Sequence, residues 1–83
     1  MQNNTIIMED FVMDIVKVFA ENVKKYRLDR GLSQEKFAEL CGLHRTYISA
    51  LECCRRSICL ENVQRIADGL GVETYKLFVP NDK

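Results

Sequence analysis

Gln34-Glu-Lys-Phe-Ala-Glu-Leu-Cys-Gly-Leu-His-Arg-Thr-Tyr-Ile-Ser-Ala-Leu-Glu-Cys53 reads as two short helices joined by a tight turn. Ala38, Gly42 and Ile48 have the spacing of a helix-turn-helix. Ala38 is small where the second helix must cross close to the first. Gly42 can adopt the positive φ that the sharp turn needs. Phe37, Cys41, Leu43, Ile48 and Leu51 form the inward set that holds the two helices together. His44 to Tyr47, with Ser49, are then left on a polar face at the start of the second helix. Such a face is suited to entering a DNA major groove.

The rest of the chain continues the helical pattern. Phe11, Ile15, Phe19, Val23 and Tyr26 recur at steps of four, four, four and three, which is one stripe of a helix over about 8–30. One long helix or two with a break near Lys17 both satisfy it. Gly31 closes this stretch, and Ser33 is a suitable N-cap for a helix over 34–41. A recognition helix over about 44–52 is followed by the basic loop Cys53-Cys-Arg-Arg-Ser57. Leu60, Val63, Ile66, Ala67 and Leu70 define a further helix, with Gly69 and Gly71 marking its end. A short last helix is expected over about 73–78, and Pro80 stops it. No alternating strand pattern or internal repeat occurs.

The chain has 83 residues and a formal net charge of zero. That length indicates one domain, and the apolar content is that of a globular protein. The charges are unevenly spread. Residues 17–56 hold nine Lys/Arg against five acids, and the remainder hold three against seven. The basic half therefore coincides with the helix-turn-helix and the helix before it. A neutral total implies weaker non-specific DNA binding than a basic protein would show. No apolar run reaches membrane-spanning length. Glu9, Asp10, Asp14 and Lys17 interrupt the first apolar residues, with no basic run ahead of them. A signal peptide is therefore not expected, and cytoplasm is the expected location.

Ser33 to Leu51 resembles the helix-turn-helix of the Cro and phage-repressor family, also called the XRE family. Lys24-Lys-Tyr-Arg-Leu-Asp-Arg-Gly-Leu-Ser-Gln34 is similar to that family's first helix and its entry into the motif. Leu60-Glu-Asn-Val-Gln-Arg-Ile-Ala-Asp-Gly-Leu-Gly-Val72 and Tyr75-Lys-Leu-Phe78 are similar to its fourth and fifth helices. Within the family, Leu43-His-Arg-Thr-Tyr-Ile-Ser49 with Leu51 and Glu52 is most similar to the controller proteins of restriction–modification systems. The resemblance implies an all-α, five-helix lambda-repressor-like DNA-binding domain with an N-terminal helical extension. On that basis residues 1–18 are the extension, 19–79 the domain (motif 34–53) and 80–83 a tail. It also implies a transcriptional regulator that binds a near-palindromic operator in double-stranded DNA as a homodimer. Repression or activation would follow from operator placement, with RNA polymerase as a further contact for an activator. Cys53, Cys54, Ile58 and Cys59 depart from the family pattern, where a polar or basic residue, Gly, Pro and Ser are usual.

Arg45 and Thr46 are the expected base readers. Arg can bond both O6 and N7 of a guanine, and Thr offers a hydroxyl and a methyl. Tyr47 and Ser49 are added to the base-contacting set, Tyr47 with a phosphate as its other target. Gln34 opens a helix whose free N–H groups favour phosphate. His44, Arg55, Arg56, Lys24 and Lys25 complete the phosphate candidates. Any of these basic residues taken alone would be an ordinary solvated side chain; the motif is what raises it. Arg27 and Glu52 are expected, from the resemblance, to form a buried structural ion pair. Val72, Tyr75, Leu77, Phe78 and Val79 are the expected dimer contacts, with Ile6, Ile7, Phe11 and Val12 adding to them.

No catalytic residue, metal site or cofactor is expected. The single histidine has no nucleophile or carboxylate at workable spacing. Cys41, His44, Cys53, Cys54 and Cys59 form a metal-ligand inventory without any CxxC pair. Reduced cytosolic thiols are the ordinary reading, with a redox role for Cys53 and Cys54 as the other. The competing function is a protein-interaction module, such as an antitoxin or anti-regulator, with auxiliary DNA binding.

Overall fold

The computed structural model describes residues 14–80. The expected extension helix from about residue 8, and the apolar residues Ile6, Ile7, Phe11 and Val12, lie outside that range. Four α-helices follow in order: α1 (Ile15–Asp29), α2 (Gln34–Cys41), α3 (Arg45–Glu52) and α4 (Leu60–Leu70). A 3₁₀ helix, Thr74–Phe78, closes the fold. Every element formed by the described residues is helical.

Local chemistry sets the helix ends. Asp14 caps α1 by accepting from the Lys17 N–H at 3.2 Å. Ser33 caps α2 by accepting from the Lys36 N–H at 3.0 Å. Gly42 ends α2 at φ +71°, and the Leu43 N–H returns to the Ala38 carbonyl at 2.9 Å. That turn aims α3 across α2.

Phe19 and Val23 of α1 meet Phe37, Ala38 and Cys41 of α2, Ile48 and Leu51 of α3, and Val63, Ile66, Ala67 and Leu70 of α4 in one core. Gly69 does not mark the end of α4. It lies inside the helix, where an added Cβ would sit 2.8 Å from the Cys41 Sγ. Its missing side chain is what lets α4 approach α2, and the helix ends at Gly71. Ile48 and Leu51 anchor α3 in this core, and its start, with Arg45 and Thr46, stays exposed.

The segment expected as a fifth α-helix is the 3₁₀ turn Thr74–Phe78. Pro80 has no N–H to offer the Lys76 carbonyl, so α-type bonding cannot be carried to the end of this short piece. Asn22 takes over the next acceptors. Its Nδ2 donates to the Leu77 and Val79 carbonyls at 2.9 and 2.8 Å, from a side chain buried in α1. Leu77 is fully buried, which removes it from the expected dimer contacts. Phe78 stacks on Phe19 with ring centroids 5.2 Å apart, and Val72 also packs on the core. Tyr75 and Val79 are the two members of that set that remain exposed.

Leu60 and Ile15 also depart from the expected inward stripes. Leu60 is 84% exposed and Ile15 47% exposed. Both stand at the first residue of their helices, where none of the other described helices covers them. With Val16, Phe19, Ile58, Val63 and Phe78 they line an apolar groove of about 240 Å³.

The C-terminus of α3 has no glycine. Cys54 itself takes the left-handed conformation, φ +62°, and the Arg55 N–H bonds the Ala50 carbonyl at 2.9 Å. A β-carbon makes that conformation unfavourable by about 1–2 kcal/mol, and glycine offsets part of the relief through its chain entropy. Cys54→Gly is expected to stabilise the fold by about 0.5–1 kcal/mol. Thermal unfolding checks this, and a lower midpoint would count against the strain.

Candidate nucleic-acid interface

His44 is the N-cap residue of α3, and its side chain makes no capping bond. The first N–H groups of α3 therefore stay open to an outside acceptor, and the positive end of the helix dipole points the same way. Arg45 and Thr46 are exposed at this end. Ile48 and Leu51, one turn further, are buried and anchor the helix. Ser49 and Ala50 are half-buried along its side.

Behind α3 lies a connected polar network. Arg27 Nε donates to Glu52 Oε2 at 2.7 Å, and its Nη2 donates to Oε1 at 3.0 Å. The two side chains are 8% and 3% exposed. Arg27 Nη1 also donates to the Leu32 carbonyl at 2.7 Å, which ties in the approach to α2. Gln34 Nε2 donates to Glu52 Oε1 at 3.1 Å, and Gln34 Oε1 accepts from Arg45 Nη1 at 3.4 Å. One chain of contacts thus runs from α1 through Glu52 and Gln34 to the exposed Arg45. The last contact is long, so it orients Arg45 without holding it. Gln34 opens α2 and also touches α3, so it braces the two helices against each other.

Tyr47 is half-buried and packs on the core. Its hydroxyl accepts from Asn62 Nδ2 of α4 at 3.2 Å, and the Arg56 Cζ lies 5.1 Å from its ring centroid. Asn62 is a residue that sequence reasoning missed. It stands at the edge of the apolar stripe, four residues before Ile66, where a polar residue reads as ordinary surface, and no local spacing links it to residue 47. Arg55 and Arg56 are both exposed just beyond α3.

Lys24 and Lys25 of α1 line one hollow with Glu21, Leu28 and Asp29 but differ in their angle to Arg27. Lys24 precedes Arg27 by three residues and shares its side of the helix. Lys25 is two residues before Arg27, about 200° around the axis. It pairs with Asp29 at 3.3 Å and lines a hollow with Asn22, Tyr26, Tyr75 and Lys76. The structure does not bring Lys25 to the α3 side.

The cysteines do not converge. Cys41 is buried, and burial pushes its thiol up to about 11, so it stays protonated at neutral pH. Cys53, Cys54 and Cys59 are exposed. Among the described residues, no three His, Cys, Asp or Glu side chains gather as a metal site would require. No helix among them is long and apolar enough to cross a membrane.

The helix-turn-helix family model HTH_3 matches residues 23–77. A hypothetical transcription factor from Neisseria meningitidis serogroup B is 45% identical over 67 residues, which are 81% of this chain and 63% of that protein. The chain thus spans less than two thirds of that relative. The control protein C.SmaI of Serratia marcescens is 45% identical over 65 residues, 78% of this chain and 77% of the control protein. Among solved structures, the restriction–modification controller protein C.Esp1396I, crystallised as a tetramer with its natural 35 base-pair operator, is 32% identical with a TM-score of 0.73. The match covers 80% of this chain and 87% of that one. The matched residues take in all of α2, α3 and α4 and all but the last residue of the 3₁₀ helix, and the controller relatives share both sequence and fold with them. The chain belongs to the HTH_3 helix-turn-helix family.

Proposed function

We propose that this chain is a sequence-specific DNA-binding transcriptional regulator of the restriction–modification controller type, acting as a homodimer on a near-palindromic operator. The observation that carries the reading is the exposed, uncapped start of α3, with Arg45 and Thr46 on it and the Arg27–Glu52–Gln34 network behind it. Arg45 and Thr46 read base edges in the major groove, and Ser49 lies one turn further along. Gln34, His44, Arg55, Arg56 and Lys24 meet phosphates on either side, which fixes register without reading sequence. The controller relative's complex with its operator supports the DNA-binding reading. The work is binding rather than catalysis, and its place is the cytoplasm.

Dimer contacts come from the apolar groove of Ile15, Val16, Ile58, Leu60 and Phe78, together with exposed Tyr75 and Val79. A symmetric pair places two α3 helices about 34 Å apart, one turn of DNA. Leu60→Glu puts a charge on this face without touching the core. Sedimentation at micromolar concentration is expected to show a dimer for the parent and a monomer for the variant. Equal masses would move the interface elsewhere.

DNA binding itself is tested by fluorescence anisotropy with a duplex selected from a random pool against a scrambled duplex. Tighter binding to the selected duplex, weakening with salt, is expected. Equal affinity for both would leave the interaction-module reading in its place.

A further inference from the structure

Asn62 stands on α4, outside the two helices of the motif, yet it bonds the hydroxyl of Tyr47 in α3 at 3.2 Å. Arg56 lies across the same ring. Tyr47, Arg56 and Asn62 line one open hollow of about 420 Å³ with His44 and Thr46, beside the exposed start of α3. Among the described residues, no carboxylate lines it.

The direction of the bond matters. A phenol has one proton to donate and lone pairs to accept. Asn62 Nδ2 is the donor, so it occupies a lone pair and leaves the Tyr47 proton for a partner outside. A neutral O–H donor and a guanidinium then meet at one hollow that no described carboxylate lines. The group that suits both is an acceptor-only anion, and the DNA backbone supplies one on each nucleotide.

We propose that Asn62 is a positioning residue for DNA binding: it holds the Tyr47 hydroxyl so that Tyr47 and Arg56 clamp one backbone phosphate next to the bases facing Arg45 and Thr46. This rests on the DNA-binding reading above. It assigns Tyr47 to the phosphate rather than to a base, and it links α4 to the DNA face through a single hydrogen bond.

The test uses the full chain, a selected duplex and a scrambled duplex, with anisotropy as readout. Asn62→Ala and Tyr47→Phe are each expected to weaken binding to both duplexes about 3- to 10-fold, because a phosphate contact carries no sequence information. The double variant is expected to bind no more weakly than Tyr47→Phe alone. Asn62→Asp is expected to lose more than Asn62→Ala, since a carboxylate takes the phenol proton and repels the phosphate. Arg56→Ala should reduce the salt slope by about one, and Tyr47→Phe should leave it unchanged.

Tyr47→Phe preserves the ring packing, so it tests the clamp even if Asn62→Ala unfolds. Wild-type affinity in Asn62→Ala and Tyr47→Phe overturns the proposal. So does an undiminished Asn62→Ala loss in the Tyr47→Phe background, which would mark a merely structural role. A loss confined to the selected duplex also overturns it, by making Tyr47 a base reader. A parent chain that binds neither duplex removes the DNA-binding reading and the proposal together.

Discussion

Glu52→Ala is expected to cost about 3–5 kcal/mol of folding stability. The carboxylate accepts from Arg27 Nε and Nη2 and from Gln34 Nε2, and its side chain is 3% exposed. Its removal leaves the Arg27 guanidinium buried with no counter-charge. A buried cation without a partner is far more costly than a lost surface pair, which is worth at most about 1 kcal/mol. A domain of this size has only about 4–12 kcal/mol in total. The variant should therefore unfold at a much lower urea concentration and be partly unfolded when warm. Arg27→Met with Glu52→Leu removes both charges and is expected to recover most of the loss. An unchanged urea midpoint in Glu52→Ala would show that the pair is effectively solvated.

Arg45→Ala is expected to leave the fold intact and weaken binding to the selected duplex about 5- to 150-fold. That range is the free energy of about 1–3 kcal/mol carried by a bidentate Arg–guanine contact. Arg45 is exposed, and among the described residues its one side-chain hydrogen-bond partner is Gln34 at 3.4 Å, so little stability depends on it. Scrambled duplex should lose much less, because only the charge is missing there. Titration with both duplexes separates the two terms. Equal losses on both would reassign Arg45 to the phosphate backbone.

Most of the helical scaffold was legible because its signals are local. Ser33 and Gly42 fix the bounds of α2 through backbone chemistry that needs no distant partner. The inner faces of α2 and α3 follow from their 3.6-residue period. Leu60, Ile15 and Leu77 show where that rule stops. Periodicity gives a side but not whether another element covers it, so two exposed residues were placed inside and one core residue was placed at an interface. Length and Pro80 indicated where the last segment ends, but not that it is a 3₁₀ turn whose end is held from α1 by Asn22. Asn22 and Asn62 gave no sign in the sequence, because each is explained by a partner that only folding supplies, whereas the left-handed Cys54 stands where the family usually has Gly. The Arg27–Glu52 pairing was reached through family resemblance, since no spacing rule joins residues 25 apart.

Rounds of selection from random-sequence duplexes bear most directly on the claim that the start of α3 reads DNA sequence. The account predicts enrichment of a near-palindromic site whose half-site centres lie one helical turn apart, with at least one guanine in each half, and loss of that guanine preference with Arg45→Ala. A pool that stays random through repeated rounds with the parent protein would contradict it.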